Sequence, residues 1–146
     1  MEIGIYKTVL LPPDLNESSS WEKALPAARD ICRGSGGTLH VMTLLPGYGM
    51  TIVGQYFPEG AEDEGEAAAL AELKRITEAH VGEDVKLAHI IAQGTILEQI
   101  LVAAERVDAD LIAMAARRPG FVDFLLGDTA YKVVRRYPRS VMIVRA

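Results

Sequence analysis

The sequence has little cysteine, no excess of positive charge and no long apolar run. Cys32 is the only cysteine among the 146 residues, so no disulfide can form within the chain; this is typical of proteins in a reducing compartment. The formal net charge of −5 argues against general binding to nucleic acid, which requires a basic surface. No apolar run is long enough to cross a membrane, and the first residues lack the features of a signal peptide. We therefore expect a cytoplasmic protein that does not insert into membranes.

The sequence also lacks the motifs of common catalytic and metal sites. It has no Gly-x-Ser-x-Gly turn for a nucleophilic serine and no Gly-rich phosphate loop ending in Gly-Lys-Ser/Thr. The three histidines, His40, His80 and His89, lie on separate predicted elements without the spacing of metal ligands. Cys32 falls on the apolar face of a predicted helix, which indicates a core residue rather than a nucleophile. We therefore predict no catalytic residues, no metal ligands and no enzyme activity.

Strand-type and helix-type runs alternate along the whole chain. The predicted strands cover residues 6–12, 38–45, 85–91, 109–115 and 141–145. The predicted helices begin at the capping box Ser19–Glu22, in the acidic stretch 59–66, at the capping box Thr95–Glu98 and at Gly127. The strands are continuously apolar, which indicates that helices cover both faces of their sheet. The sequence therefore predicts one α/β domain over residues 1–146, a doubly wound five-stranded parallel sheet in the order 3-2-1-4-5.

One connection is long, from Pro46 to Gly60, and it is rich in Gly, Pro and aromatic residues. A connection of this length is often functional, so we predict a mobile loop that lies over a site. The acidic residues that follow suit the positive end of a helix dipole. We interpret them as a solvated helix start rather than as an acidic binding segment.

The last third of the sequence predicts an anion-binding corner. The fourth strand ends at Ala115, a loop with Arg117 and Arg118 follows, and Gly127 begins the last helix. A strand, a small-residue loop and a helix N-terminus in this order direct free backbone N–H groups and the positive end of the helix dipole into the loop. This arrangement indicates a bound phosphate compound, with a nucleotide as the first candidate.

Two carboxylates near this corner allow opposite interpretations. Ligands of doubly wound sheets bind where the strand order reverses, here between the first and fourth strands. Asp14 follows the first strand, where it could accept a hydrogen bond from a ribose or an adenine amine, or simply form a turn. Asp128 is a good N-cap for the last helix, yet its charge repels phosphate. Arg117 and Arg118 could offset that charge, pair with Asp128 or lie exposed.

Several stretches resemble the universal stress protein family, and together they span nearly the whole chain. The opening strand Tyr6–Asp14, with its Pro and Asp at the end, resembles the start of the family sequence. The segment Leu125–Arg135, which reads Leu-Leu-Gly-Asp-x-Ala-x-x-Val-Val-Arg, resembles its closing half, as do Asp110–Met114 and Ser140–Arg145. The resemblance implies a Rossmann-like fold of the adenine nucleotide alpha hydrolase type.

The sequence departs from the motif of the ATP-binding members, which is Gly-x-x-Gly, a further stretch, and then Gly-Ser/Thr. Ala115 and Arg118 stand where the two glycines would be, and Asp128 replaces the hydroxyl residue. Ala115–Pro119 is similar instead to a subgroup of small stress proteins with a Pro-containing phosphate loop. Nucleotide binding is known in that subgroup. The resemblance therefore still implies ATP, or AMP if Asp128 rejects the triphosphate, with or without Mg²⁺.

By the same resemblance, three groups of residues surround the nucleotide and a fourth forms a dimer interface. The residues that face the adenosine are Pro12, Pro13 and Asp14, and those that line the base are Leu44 and Met114. The residues around the phosphates are Ala115, Arg117, Arg118, Gly127, Asp128 and Thr129. The homodimer forms through the last strand, at Val141, Met142, Ile143, Val144 and Arg145. An unpaired apolar edge strand needs covering in any case.

Three functions stay open at this point. The first is a nucleotide-binding regulatory module of the stress response, in which the ligand orders the 46–60 loop and alters recognition of a regulatory protein partner. The second is a nucleotide-free dimeric module for protein–protein interaction, in which Asp128 has closed the site. The third, ranked last because no base or nucleophile is visible, is a slow ATP hydrolase or phosphotransferase.

Overall fold

The computed structural model describes residues 5–14, 18–45, 50–53, 64–115 and 128–145. Its strands are β1 (Thr8–Leu11), β2 (Thr38–Leu45), β3 (Met50–Val53), β4 (Lys86–Gln93), β5 (Leu111–Ala115) and β6 (Ser140–Val144). Its helices are α1 (Ala24–Ser35), α2 (Glu64–His80), α3 (Ile96–Arg106) and α4 (Asp128–Arg136). A short 3-10 turn, Ser18–Ser20, precedes α1.

The strands form one sheet in the order β3-β4-β2-β1-β5-β6. Every neighbouring pair is parallel except β3 and β4. The five parallel strands therefore have the predicted order 3-2-1-4-5, and β2 has the predicted bounds. This confirms the doubly wound fold.

Crossovers between parallel strands are right-handed as a rule, so a sheet whose strand order reverses has helices on both faces. α1 and α2 pack against each other, as do α3 and α4, and the change of direction after β4 puts the two pairs on opposite faces. The central strands β1 and β5 are buried along nearly their whole length, which explains their continuous apolar sequence. Within the described ranges, no helix has the length and apolar character needed to span a membrane.

β3 corrects the prediction that the connection 46–60 is loop throughout. Met50–Val53 pairs antiparallel with β4, with Met50 opposite Ala92 and Val53 opposite His89. The open edge of β4 offers unpaired backbone groups to this short segment, and no local sequence pattern reports that opportunity. The rest of the connection, and with it the predicted cover of a site, lies outside the described residues.

The start of α1 corrects a second prediction. Ser19–Glu22 is not the capping box of α1, which begins at Ala24 with Lys23 as the N-cap residue and without a side-chain hydrogen bond. At the other end of α1, Gly36 adopts φ 73° and closes the helix, a conformation that glycine adopts without strain. Thr95 does precede α3 as predicted, but it too makes no capping hydrogen bond.

Cys32 is buried on the inner face of α1, which confirms its interpretation as a core residue. Burial raises the pKa of its thiol to about 11, and the negative charge of Asp110 adds to the shift. Because the thiolate is the reactive form, we expect this cysteine to be unreactive in the folded protein.

His89 is buried on β4 beneath α2, and its environment makes folding sensitive to pH. The Thr77 hydroxyl donates to the Leu73 carbonyl at 3.0 Å. His89 Nε2 therefore donates to Thr77 Oγ1 at 2.9 Å. Burial lowers the pKa of His89 below its ordinary value of 6.5, the charge of Lys74 lowers it further, and Glu78 opposes the shift.

The lowered pKa gives a signed expectation for stability against pH. Below about pH 6.5 the unfolded chain takes up a proton at His89 that the folded chain resists, so folded stability is complete above that pH and falls as the pH decreases. Urea unfolding between pH 5 and pH 8 should therefore show a smaller loss of stability toward acid in His89→Gln than in the wild type. Equal slopes in the two proteins would contradict the assignment.

Candidate functional site

The sheet reverses its strand order between β1 and β5. From β1 the chain proceeds to β2 on one side, whereas β5 leads to β6 on the other. β1 and β5 are neighbours, with Val9 opposite Leu111 and Leu10 opposite Ile112. The helices that leave these two strands lie on opposite faces, and in doubly wound sheets the crevice that receives a ligand lies outside the carboxyl ends of such strands. The first and fourth predicted strands thus flank the switch point as expected.

The chain turns away from the sheet directly after β1. Pro12 and Pro13 are buried and Asp14 is half-buried. The two prolines have no backbone N–H groups to continue the strand ladder. The Asp14 backbone is held by Ser20, whose hydroxyl oxygen accepts the Asp14 N–H at 2.8 Å and donates to the Asp14 carbonyl at 2.9 Å. All three residues predicted to face an adenosine therefore lie at the crevice.

The predicted base-lining residues lie near the carboxyl ends of the strands on either side of β1. Leu10 is opposite His40 of β2 and opposite Ile112 of β5. Because side chains alternate along a strand, Leu44 and Met114 project from the same face of the sheet. Leu44 is half-buried and Met114 is buried. Both side chains are apolar and belong to the same face, where Leu44 keeps part of its surface accessible.

The predicted phosphate-binding residues are described only in part. Ala115 is buried at the end of β5. α4 connects β5 to the parallel strand β6, so it runs against the strands and begins at the carboxyl edge with Asp128 and the half-buried Thr129. The first turn of α4 therefore presents its positive dipole end at the same edge as the crevice. Arg117, Arg118, Gly127 and the Asp128 side chain lie outside the described residues.

The predicted dimer-interface residues lie on the edge strand β6. This strand pairs with β5 from Ser140 opposite Leu111 to Val144 opposite Ala115, and β5 is its one neighbour among the described strands. Val141, Met142 and Val144 are half-buried, Arg145 is exposed, and the Ile143 side chain is 38% exposed. An edge of this composition is suited to pairing with another strand.

Two residues that hold the backbone in place by hydrogen bonds were not identified from the sequence. Ser20 holds the Asp14 backbone at the crevice, and its serine-rich neighbourhood suggested only helix capping. Asp110 lies at the opposite edge of the sheet, where its carboxylate accepts the Lys7 N–H at 3.0 Å and the Thr8 N–H at 3.1 Å. The Asp110 contacts depend on the tertiary fold. The Ser20 hydroxyl contacts a residue six positions earlier, a spacing that matches no helix-capping pattern.

Comparison with known proteins agrees with the fold and extends over almost the whole chain. The sequence profile of the universal stress protein family matches residues 5–145. Universal stress protein G of Salmonella typhimurium is 26% identical over 143 residues, which cover 97% of this chain and 100% of that protein.

Two solved structures are similar over comparable lengths. One is a universal stress protein in complex with cAMP, which is 25% identical with a TM-score of 0.63 over 96% of this chain and 97% of that chain. The other is the universal stress protein of Archaeoglobus fulgidus in complex with dAMP, with a TM-score of 0.67 over 96% of this chain and 98% of that chain. At 17% identity the second likeness concerns the fold alone.

Proposed function

The chain belongs to the universal stress protein family, and on that premise we propose that it binds an adenine nucleotide in the crevice between β1 and β5 and acts as a regulatory module. The observation that carries the proposal is the shared face of Leu44 and Met114 beside the end of β1. A flat base needs an apolar surface of this kind, with a few polar groups to orient it. The similar protein determined with cAMP supports the same ligand class.

Asp14 is the polar group best placed to orient the adenosine. It follows β1 directly, and its backbone is fixed by Ser20. A carboxylate accepts hydrogen bonds only, which matches the donors of an adenine amine and of ribose hydroxyls. We propose Asp14 as the adenosine-recognising residue, with Pro12 and Pro13 forming the wall behind it.

The phosphates of the ligand would lie toward the first turn of α4. Ala115, Arg117, Arg118, Gly127, Asp128 and Thr129 are the residues proposed around them. The N-terminus of α4 favours an anion, whereas the Asp128 charge opposes one. ATP and AMP are therefore both proposed ligands, and the number of phosphates accepted depends on how the two arginines balance Asp128. Mg²⁺ would reduce the same repulsion if it accompanies the triphosphate.

Thermal unfolding with AMP, ATP, cyclic AMP and GTP, each with Mg²⁺ and with EDTA, tests the proposal. A ligand at about a hundred times its dissociation constant adds about 2.7 kcal/mol, which raises Tm by several degrees in a domain of this size. We expect that shift with an adenine nucleotide and not with GTP. Absence of a shift with every nucleotide would overturn the proposal and favour the nucleotide-free interaction module.

Three variants separate the site from the rest of the surface. Arg118→Ala should weaken nucleotide binding, and Asp128→Ser should strengthen it by removing the repelling charge. Arg136→Ala is the matched control, because Arg136 is exposed near the C-terminus of α4, away from the crevice.

Release of ADP above a protein-free control, abolished by Asp14→Asn, would instead favour the slow hydrolase.

We also propose that β6 pairs with β6 of a second copy to form a homodimer. Light scattering at micromolar concentration should then give twice the chain mass of 15.9 kDa. Ile143→Lys should shift the mass toward the monomer, since it places a charge on the apolar edge. A monomeric mass for the wild type would contradict the proposal. We propose that a regulatory protein partner recognises either this dimer or the segment 46–60.

A further inference from the structure

The 3-10 turn Ser18–Ser20 lies beside β5, close to the residue that follows β1. Its last residue, Ser20, is only 1% exposed. The Ser20 hydroxyl forms two hydrogen bonds, one to the N–H and one to the carbonyl of Asp14. One side chain thus satisfies both backbone groups of the residue that leaves β1.

This pair of hydrogen bonds restricts the backbone conformation of Asp14. Asp14 lies beyond the paired residues of β1, whose register with β2 ends at Leu11 opposite Val41. Both distances, 2.8 and 2.9 Å, are those of well-formed hydrogen bonds. Ser20 is 1% exposed, so water has little access to its hydroxyl, although Asp14 itself is half-buried.

We propose that Ser20 is a positioning residue for nucleotide recognition: it holds the Asp14 backbone so that the carboxylate meets the adenosine part of the ligand. The inference rests on the proposed function, and it adds a residue that does not touch the ligand. Ser20 acts on the adenosine end and not on the phosphates. Removal of the Ser20 hydroxyl therefore lowers the affinities for AMP and for ATP by the same factor. Changes at Arg118 or Asp128 should instead affect the two affinities differently.

Ser35 provides a matched control within the same chain. It is also 1% exposed, and its hydroxyl also bridges backbone groups, donating to the Tyr6 carbonyl at 2.7 Å and accepting the Gly37 N–H at 3.1 Å. Ser35 lies at the C-terminus of α1, at the opposite edge of the sheet from the crevice. Its loss removes the same chemistry from the fold without changing Asp14.

The experiment measures dissociation constants for AMP and for ATP by titration calorimetry, at a temperature where every variant is folded. Ser20→Ala should raise both dissociation constants about tenfold, whereas those of Ser35→Ala should stay within about twofold of the wild type. In the Asp14→Asn background, Ser20→Ala should change affinity less than about twofold, because the residue through which it acts is already altered. If an alanine variant does not fold, Ser20→Cys and Ser35→Cys keep a heavy atom with a proton at the hydroxyl position while weakening the hydrogen bonds.

The outcomes distinguish the inference from the function on which it rests. A wild type that binds no nucleotide overturns both. A wild type that binds, with Asp14→Asn weakened and Ser20→Ala equal to Ser35→Ala, overturns the positioning role alone. Equal losses from Ser20→Ala with and without Asp14→Asn also overturn it, since Ser20 would then act independently of Asp14.

Discussion

Gly37→Ala is expected to destabilise the protein by about 3 kcal/mol, the upper part of the range for overpacked sites. A Cβ atom at this position would lie 2.5 Å from the Lys7 carbonyl oxygen and 2.9 Å from the Lys7 carbonyl carbon. Both atoms belong to the backbone, and the same carbonyl accepts the Thr38 N–H at 2.8 Å at the start of the β1–β2 pairing. The methyl group can therefore be accommodated only by moving one strand relative to the other.

Gly34→Ala is the matched control, because it introduces the same methyl group three residues earlier in α1. Nothing lies within 4 Å of a Cβ at Gly34, and alanine stabilises a helix interior by about 0.5–1 kcal/mol relative to glycine. Urea unfolding of the two variants should move their midpoints in opposite directions. A Gly37→Ala variant as stable as the wild type would contradict the close approach of these backbones.

Asp110→Asn is expected to cost about 2 kcal/mol, because hydrogen bonds to charged groups are stronger than neutral ones. Each carboxylate oxygen accepts one backbone N–H, from Lys7 and from Thr8. An amide of the same shape supplies one acceptor and turns an NH₂ group toward the other N–H. The backbone N–H of Asp110 also donates to the Thr8 carbonyl at 3.0 Å, so this residue anchors β1 beside β5.

Asp108→Asn tests whether charge or position explains that loss. The Asp108 carboxylate is 83% exposed, and its ion pair with Arg139 is at the surface. Its backbone has φ 57°, a conformation that asparagine also tolerates. We expect a change within about 0.5 kcal/mol, measured by the same urea unfolding. A loss equal to that of Asp110→Asn would show that surface charge, rather than the paired backbone groups, determines stability here.

The sheet could be predicted because its information is local. The run Thr38–Leu45 is apolar between Gly37 and Pro46, and its bounds were predicted without error. Likewise Pro12 and Pro13 mark the end of β1 within one residue. Periodicity, prolines and glycines act over a few positions, so one sequence is enough to interpret them.

Two of the missed features involve partners distant in the sequence, and the third, between Ser20 and Asp14, spans six residues without following a capping pattern. β3 exists because β4 has an open edge, and Gly and Pro nearby indicated only loop. The serines before α1 matched a capping pattern, yet Ser20 bonds Asp14 instead. Asp110 contacts Lys7 across 103 positions. Local propensity gives way to tertiary contacts at these places.

The position of β1 has a consequence for how the chain folds during synthesis. β1 comes from the beginning of the sequence but lies inside the sheet, with β2 on one side and β5 on the other. Translation proceeds at about 5–20 residues per second. Several seconds therefore pass between the emergence of β2 and that of β5, and until then β1 lacks one of its two neighbouring strands. During that interval the free edge of β1 is a template for pairing with other nascent chains. The arrival of β5 closes this edge and brings Met114 beside the end of β1 in the same event, so no shorter nascent chain would contain the complete nucleotide site that we propose.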